Sequence, residues 1–177
     1  MPRHPDLSMP DEYGLVITSA YPSDLHTLIA LFQRSSATSR RQRFHGTVRR
    51  IPGRYLHDVA CGAPGVVTRL ARDVKRDPSG DCVVAVASAV PESADRAELA
   101  VWVDDEWQRR GVGMRVLRAV LDQLRADGVR SVVAYLEPGN AAANALARSL
   151  ARALDAPAPS GPDLAFDLTH VRSGVRA

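Results

Sequence analysis

An apolar strand that runs through a glycine-containing turn into an amphipathic helix is the feature that most constrains how this sequence folds. Residues 98–103 form a short apolar run, and residues 113–127 repeat apolar side chains along one helix face. Between them, Gln108 to Gly113 read Gln-Arg-Arg-Gly-Val-Gly. Glycines let backbone N–H groups converge, and a helix N-terminus adds unsatisfied donors and partial positive charge. The pattern predicts an anion site suited to a pyrophosphate.

The turn by itself leaves two explanations open. It lacks the third glycine of the dinucleotide fingerprint and the Gly-Lys-Ser/Thr of a P-loop. A helix N-terminus that contains two glycines for structural reasons is therefore an alternative to a phosphate site. If the site is real, we expect Arg109 and Arg110 to make charge-assisted contacts with phosphate oxygens.

The rest of the chain alternates short strands and helices. A turn signal at residues 77–80 predicts a β-hairpin. An antiparallel half followed by a strand–helix–strand unit predicts an α/β (α+β) fold, in which helices cover both faces of a mixed, mostly antiparallel central sheet. We expect residues 1–12 to be a flexible leader, 13–170 a single domain and 171–177 a C-terminal tail. The further predicted strands are 13–19, 66–73, 82–90, 131–136 and 164–169, and the further helical segments are 25–32, 55–59 and 140–154.

Composition excludes several classes of protein. The chain has 177 residues, 23 basic and 20 acidic side chains and a formal net charge of +3, which suits one soluble domain. No apolar stretch approaches the ~18–20 residues of a membrane helix, and no secretory signal is visible. Cys61 and Cys82 are too few for a disulfide framework or a zinc site, and the histidines lack metal-ligand spacing. We therefore expect no metal and a cytoplasmic location.

The turn resembles the signature of a known family. Gln108 to Gly113 are similar to the Gln/Arg-x-x-Gly-x-Gly/Ala signature of the GNAT superfamily of acyl-CoA N-acyltransferases, which also follows a buried strand and opens a helix. The resemblance spans about residues 98–150, and more weakly 13–169. It implies that acetyl-CoA is the acyl donor, that the turn binds its pyrophosphate, and that the preceding strand and a helix-opening Asn contact its pantetheine arm. The implied cofactor-binding residues are Val101, Trp102, Val103, Gln108, Arg109, Arg110, Gly111, Val112, Gly113 and Asn140.

Glu98 is the candidate general base. Its Ala-Glu-Leu-Ala-Val setting resembles the acetyltransferase domain of bacterial protein lysine acetyltransferases, in which a Glu at this point is the base. The resemblance implies that Glu98 deprotonates an amine, which attacks acetyl-CoA directly without a covalent enzyme intermediate. We expect strand N–H groups around Trp102 and Val103 to polarise the thioester carbonyl. A solvent-exposed glutamate at a strand edge is the alternative.

The last predicted helix departs from the family pattern. It has Ala151-Arg152 where the family usually has Gly-Phe, and Ala147 and Arg148 stand near the place of a Tyr that often serves as general acid. Tyr135 lies on the preceding strand and is not an obvious substitute. The resemblance therefore supplies no general acid, and a non-catalytic acyl-CoA-binding regulatory module is an alternative function.

An arginine-rich segment forms the third candidate region. Residues 25–57 contain no Asp or Glu, and Ser36 to Phe44 resemble the Ser-x-x-Ser-Arg/Tyr-x-x-Arg-Phe entry of the protein-modifying enzymes, where the first helices wall the acceptor site. This implies contact with an acidic acceptor or with the 3′-phosphate of coenzyme A. A solvated helix face is the alternative, and few interleaved aromatic residues disfavour a nucleic-acid partner. The arginines of this segment are Arg34, Arg40, Arg41, Arg43, Arg49, Arg50 and Arg54.

Together, these features predict a single acyltransferase domain that transfers an acetyl group to a primary amine. The acceptor is either a protein lysine or a small-molecule amine. The sequence indicates no membrane partner, and it is compatible with a homodimer. The identity of the acceptor, the acyl chain length and the oligomeric state stay open at this stage.

Overall fold

The computed structural model shows a six-stranded sheet with helices on both faces. It describes residues 9–137, 139–157 and 162–169. Residues 1–8 of the predicted leader, residue 170 and the predicted tail lie outside the described residues, so those boundaries stay predictions. The strands are β1 Leu15–Ser19, β2 Val67–Asp73, β3 Val83–Pro91, β4 Arg96–Val103, β5 Ser131–Tyr135 and β6 Asp163–Asp167. The helices are α1 Leu25–Arg34, α2 Ala37–Phe44, α3 Gly53–Cys61, α4 Val112–Ala126 and α5 Ala141–Ala153.

The sheet follows chain order from β1 to β6. Neighbouring strands are antiparallel except β4 and β5, which run parallel. This confirms the predicted mixed, mostly antiparallel sheet, including the β2–β3 hairpin. The parallel pairing is short: it runs from Arg96 opposite Ser131 to Glu98 opposite Val133 and then stops. The five remaining residues of β4 thus continue without a paired neighbour on the β5 side.

Two apolar cores cover the two faces of the sheet. One core joins α4 and α5 to side chains such as Leu99 of β4. The other joins α1 and α3 to side chains that include Trp102 of β4. Because side chains alternate along a strand, β4 contributes odd-numbered positions to the first face and even-numbered positions to the second. Glu98 therefore lies on the face of α1 and α3.

Helix α2 carries too few apolar residues for hydrophobic periodicity to reveal it. It starts at a cap, where the Ser36 side chain accepts a hydrogen bond from the Ser39 N–H at 3.1 Å. It ends at His45, whose φ of 51° is left-handed. The resemblance to the Ser-x-x-Ser segment predicted a helix here, whereas the hydrophobic pattern did not. Among the described residues, no helix is both long and apolar enough to cross a membrane.

Candidate functional site

A cleft opens at the point where the pairing of β4 with β5 ends. It consists of two adjoining cavities of about 310 and 120 Å³. We name the larger one the turn cavity, because residues of the Gln108–Gly113 turn line it, and the smaller one the Glu98 cavity, because Glu98 lines it. The two cavities share six lining residues and so form one continuous cleft. The shared residues are Gln42, Arg43, Val101, Asn140, Ala143 and Leu146.

Backbone groups of β4 form one wall of this cleft. The Asp104 N–H donates to a β3 carbonyl at 2.9 Å, and the direction of N–H groups alternates along an antiparallel strand. Trp102 therefore also directs its N–H towards β3, whereas Val101 and Val103 direct theirs towards the open β5 side. This corrects the expectation for Trp102, whose N–H is engaged in the sheet. Val101 and Val103 are the residues whose backbone donors face the unpaired side of β4.

The turn has the backbone conformation expected of an anion site. Arg109 and Gly111 both have left-handed φ values, 60° and 78°, and Gly111 is the cap residue from which α4 starts. The first helical bond that returns to this cap comes from the Arg115 N–H to the Gly111 carbonyl at 3.2 Å. The N–H groups of the preceding helical residues therefore have no partner within the helix. These groups lie at the positive end of the α4 dipole, beside the turn cavity.

The second glycine of the turn has a different role from the first. Gly113 lines the turn cavity, and a Cβ placed on it would lie 3.4 Å from Val103 and 3.5 Å from Leu146. These are ordinary contacts with no clash, so the fold itself tolerates a side chain there. The absence of one keeps the passage between β4 and α5 open. Gly111, by contrast, has open space around it and is constrained only by its φ.

Gln108 holds the turn in place through its side-chain amide. Nε2 donates to the Val103 carbonyl at 3.3 Å, to Ser39 Oγ at 3.1 Å and to Asp105 Oδ1 at 3.3 Å. The side chain thus joins β4, α2 and the turn. It also lines the turn cavity. The geometry supports a positioning role for this amide, in addition to the phosphate contact that the resemblance implies.

Two acidic residues just before the turn, Asp104 and Asp105, have local hydrogen-bond partners. Asp104 accepts a hydrogen bond and ion pair from Arg34, and Asp105 accepts from the Ser36 N–H at 2.7 Å and from Ser39 Oγ at 2.5 Å. Partial burial opposes ionisation of Asp105, but the hydrogen bonds from Ser39 and Ser36 outweigh it and hold the pKa of this carboxyl below its ordinary value. The two carboxylates therefore tie α1 and α2 to the turn. The charge of Asp104 is compensated by Arg34, whereas among the described residues Asp105 accepts only from uncharged donors.

Asn140 lies where both cavities meet. It is 9% exposed and caps α5, because its Oδ1 accepts a hydrogen bond from the Ala143 N–H at 3.0 Å. The cap explains locally why this position carries Asn. Its place in both linings agrees with the predicted contact to the cofactor.

The other predicted residues of the turn differ in their exposure. Arg109 is exposed and lines the turn cavity. Arg110 is exposed and stacks on the Trp107 ring at 5.4 Å, and it is absent from the lining of both cavities. Val112, the first residue of α4, is buried in the core, so it can contribute only its backbone to the site.

The Glu98 cavity contains charged and phenolic side chains. Glu98 is half-buried, and among the described residues it has no hydrogen-bond or ion-pair partner for its side chain. Tyr135 lines the same cavity, is 40% exposed, and donates its hydroxyl to Glu92 Oε1 at 2.9 Å. This hydrogen bond raises the pKa of Tyr135 above its ordinary value, so the phenol stays protonated near neutral pH. Helix α5 has no Tyr, so Tyr135 is the phenol at this end of the cleft.

Helix α2 supplies residues that the predicted site did not include. Arg41 forms an ion pair with Glu137 at 2.7 Å, which joins α2 to the segment after β5. Gln42 and Arg43 line both cavities, and His45 lines the Glu98 cavity. The acid-free arginine segment was the sequence signal for these residues. Only the packing of α2 over β4 shows which of its arginines lines the cleft.

No group of three or more metal-binding side chains occurs in the described part of the chain. Cys61 and Cys82 are both free thiols. Burial raises the pKa of Cys82 above its ordinary value, so this thiol is a poor nucleophile at neutral pH. Neither cysteine lines the cleft.

The sequence profile of the acetyltransferase (GNAT) family matches residues 41–151, which include the turn, Glu98 and most of α5. The chain belongs to this family. A 53-residue segment is 40% identical to L-methionine sulfoximine/L-methionine sulfone acetyltransferase of Pseudomonas aeruginosa. That segment covers 30% of this GNAT chain and 31% of the Pseudomonas protein, so the match spans less than a third of either.

Solved structures show the same fold over more of the chain. The GNAT domain of S. lividans PAT has a TM-score of 0.68 at 20% identity, over 85% of this chain and 89% of that domain. The ribosomal-protein-S18-alanine N-acetyltransferase of Escherichia coli has a TM-score of 0.62 at 20% identity, over 92% and 99%. The Salmonella typhimurium protein yncA, whose structure holds its cofactor acetyl-CoA, has a TM-score of 0.59 at 20% identity, over 77% and 78%. The GNAT-like α/β fold is thereby confirmed.

Proposed function

We propose that this GNAT chain transfers an acetyl group from acetyl-CoA to a primary amine and that Glu98 is the general base. The observation that carries the proposal is the single cleft in which Glu98 and the turn stand at opposite ends, joined along the backbone of β4. A donor held at the turn and extended along β4 would bring its thioester to the Glu98 cavity. An amine entering that cavity would meet a carboxylate that has no described partner.

The donor end rests on the turn residues. The N–H groups that open α4 and the Arg109 guanidinium would hold the pyrophosphate, and Gln108 would keep the turn in register with β4. The unpaired backbone of Val101 would add a strand-like pairing to the pantetheine arm. Acetyl-CoA fits this set of donors, since the turn cavity combines the N–H groups that open α4 with the apolar side chains of Val103, Met114 and Leu146.

The chemistry needs two proton movements. Glu98 would take a proton from the acceptor ammonium, directly or through water, and the neutral nitrogen would attack the thioester carbon. A backbone N–H of Val101 or Val103 would stabilise the developing oxyanion. Attack would form the N–C bond and a tetrahedral intermediate. Its collapse would re-form the carbonyl and break the C–S bond, while the second proton of the nitrogen would pass to the leaving thiolate. Tyr135 lines the same cavity, so we assign its hydroxyl, once released from Glu92, the role of relaying this proton to the thiolate.

A thioester-cleavage assay with a panel of amines tests the proposal. We expect Glu98→Gln to lower kcat by about 100-fold or more and to leave the Kd for acetyl-CoA unchanged, because general bases typically contribute at least that much. Glu12→Gln, at an exposed position outside both cavity linings, is the matched control. Tight acetyl-CoA binding by the wild type with no turnover on any amine would identify a regulatory module instead.

A further inference from the structure

Two charged side chains in the Glu98 cavity lack partners of opposite charge. The Glu98 side chain has no ion pair or hydrogen bond to a described residue, and neither has the Arg43 side chain. The other carboxylate of this lining, Glu137, is paired with Arg41 at 2.7 Å. Glu98 and Arg43 line one cavity without pairing to each other. The described lining therefore presents one unneutralised carboxylate and one unneutralised guanidinium to whatever enters.

Packing fixes the position of Arg43 and leaves its donors unused. Its guanidinium carbon lies 4.6 Å from the ring centre of Tyr55 and 5.3 Å from that of Phe44. Its Nε is buried and has no hydrogen-bond partner among the described residues. A buried donor without a partner is costly, and an arginine held by aromatic stacking has lost much of its freedom already. Such a side chain is preorganised for an anionic ligand.

The other arginines of the segment show that this state is particular to Arg43. Arg34 is paired with Asp104, Arg41 with Glu137, and Arg54 with Asp58 at 3.7 Å. Arg40 also has a buried Nε without a described partner and stacks on Phe32 at 5.0 Å, but it does not line either cavity. Arg49 and Arg50 are exposed and line neither cavity. Of the seven arginines, only Arg43 therefore combines unused donors with a place in the cleft.

We propose that the acceptor is a small zwitterion, a free amino acid in chemical class, whose amine faces Glu98 and whose carboxylate binds Arg43. This inference rests on the proposed function and specifies its substrate class. An amino acid carries the two charges that the cavity lacks, and a planar guanidinium binds a carboxylate through two parallel hydrogen bonds. The lysine of a protein chain brings an ammonium group without a carboxylate attached to it.

The test compares each free amino acid with its own carboxamide, which keeps the amine and removes the negative charge. Acceptors are α-amino acids, ω-amino acids, their amides and a lysine-containing peptide with blocked ends. We expect kcat/KM to be about 10- to 100-fold higher for the free acids than for their amides, the usual range for a charge-assisted hydrogen bond. We expect Arg43→Gln to remove this preference by raising KM for the acids alone, while Arg40→Gln keeps it.

Three results would overturn the inference. Amides or the lysine peptide that react as well as the free acids would reject a zwitterionic acceptor and leave the acetyltransferase function standing. An Arg43→Gln variant that raises KM for acetyl-CoA and for every acceptor equally would assign Arg43 to the cofactor. No turnover on any amine would reject the proposed function together with the inference. The comparison of acids with amides uses the wild type, so it stands even if a variant fails to fold.

Discussion

The turn cavity and the Glu98 cavity adjoin each other, but they are built from different parts of the chain. The turn cavity depends on backbone: the N–H groups that open α4, the left-handed residues before them and the unpaired edge of β4. The Glu98 cavity depends on side chains from several separate elements, among them α2, β4 and β5. A ligand common to a whole family suits a backbone site, since its chemistry does not vary. A ligand that differs between family members is better recognised by side chains, because substitutions can change side chains without altering the fold.

The largest expected effect on the turn cavity comes from Gly111→Val. A β-branched residue at a φ of 78° is strained, at a cost of about 1–3 kcal/mol, and the turn would relax by moving its N–H groups out of register. We expect the Kd for acetyl-CoA, measured by calorimetry, to rise about 10- to 100-fold.

Gly128→Val is the matched control for that substitution. Gly128 has a φ of 81°, would meet no neighbour within 4 Å if it carried a Cβ, and lies beyond the opposite end of α4. The same local strain there should lower the melting temperature and leave the Kd unchanged. Equal losses of affinity in both variants would mean that stability alone, and not the turn, controls binding.

The same difference between the two cavities explains which parts of the site could be predicted from the sequence. The turn was predictable because Gly111, Gly113 and the α4 stripe are local: a buried strand, two glycines and a helix follow one another directly along the chain. The mixed, mostly antiparallel character of the sheet was predictable from the sequence of strand and helix patterns. Glu98 and Asn140 were predicted from their resemblance to family positions, and both line the Glu98 cavity.

The lining of the Glu98 cavity could not be predicted from the sequence in the same way. Arg43 and Tyr135 come from elements far apart in the chain, and α2 lacks the apolar periodicity that would have placed it. The N–H direction of Trp102 depends on the register between β3 and β4, which a one-residue shift would reverse. The partner of each arginine depended on tertiary packing, so seven arginines in one segment looked equivalent in the sequence.

The next largest effect is expected in the Glu98 cavity, from Tyr135→Phe. Loss of the proton donor should lower kcat about 10-fold, less than the usual loss of a general acid because water reaches this exposed phenol and can replace it. KM for acetyl-CoA should not change. Steady-state kinetics with thiol detection would measure this, and Tyr13→Phe, at an exposed tyrosine outside both linings, is the control. An unchanged kcat would show that solvent alone protonates the thiolate.

A smaller effect is expected at the contact between α2 and the turn, from Asp105→Asn. The carboxylate accepts hydrogen bonds from Ser36 and Ser39, and charged acceptors of this kind contribute about 1 kcal/mol after discounting for exposure. Because the folded pKa of Asp105 lies below the unfolded one, the contribution is complete above the unfolded pKa and is lost as pH falls through the folded pKa.

Denaturant unfolding at two pH values measures this contribution. At pH 7 the wild type should be more stable than Asp105→Asn, and the difference should shrink when the pH is lowered below the ordinary pKa of an aspartate, about 3.9. Asp122→Asn, on the exposed face of α4, should show a much smaller difference at pH 7. A stability difference that stays constant over this pH range would mean that the charge of Asp105 is not what joins α2 to the turn.

The smallest effect separates the two neighbouring arginines of the turn. Arg109 lines the turn cavity, whereas Arg110 stacks on Trp107 outside it, so only Arg109→Gln should weaken acetyl-CoA binding, by about threefold. Because Arg109 is exposed, its contribution should disappear at high salt, where charges more than a few ångströms apart are screened. Titrations at low and high ionic strength would measure both variants. Equal losses of acetyl-CoA affinity in the two variants would mean that the positive charge of the turn acts over a distance. A specific contact in the turn cavity would then contribute little.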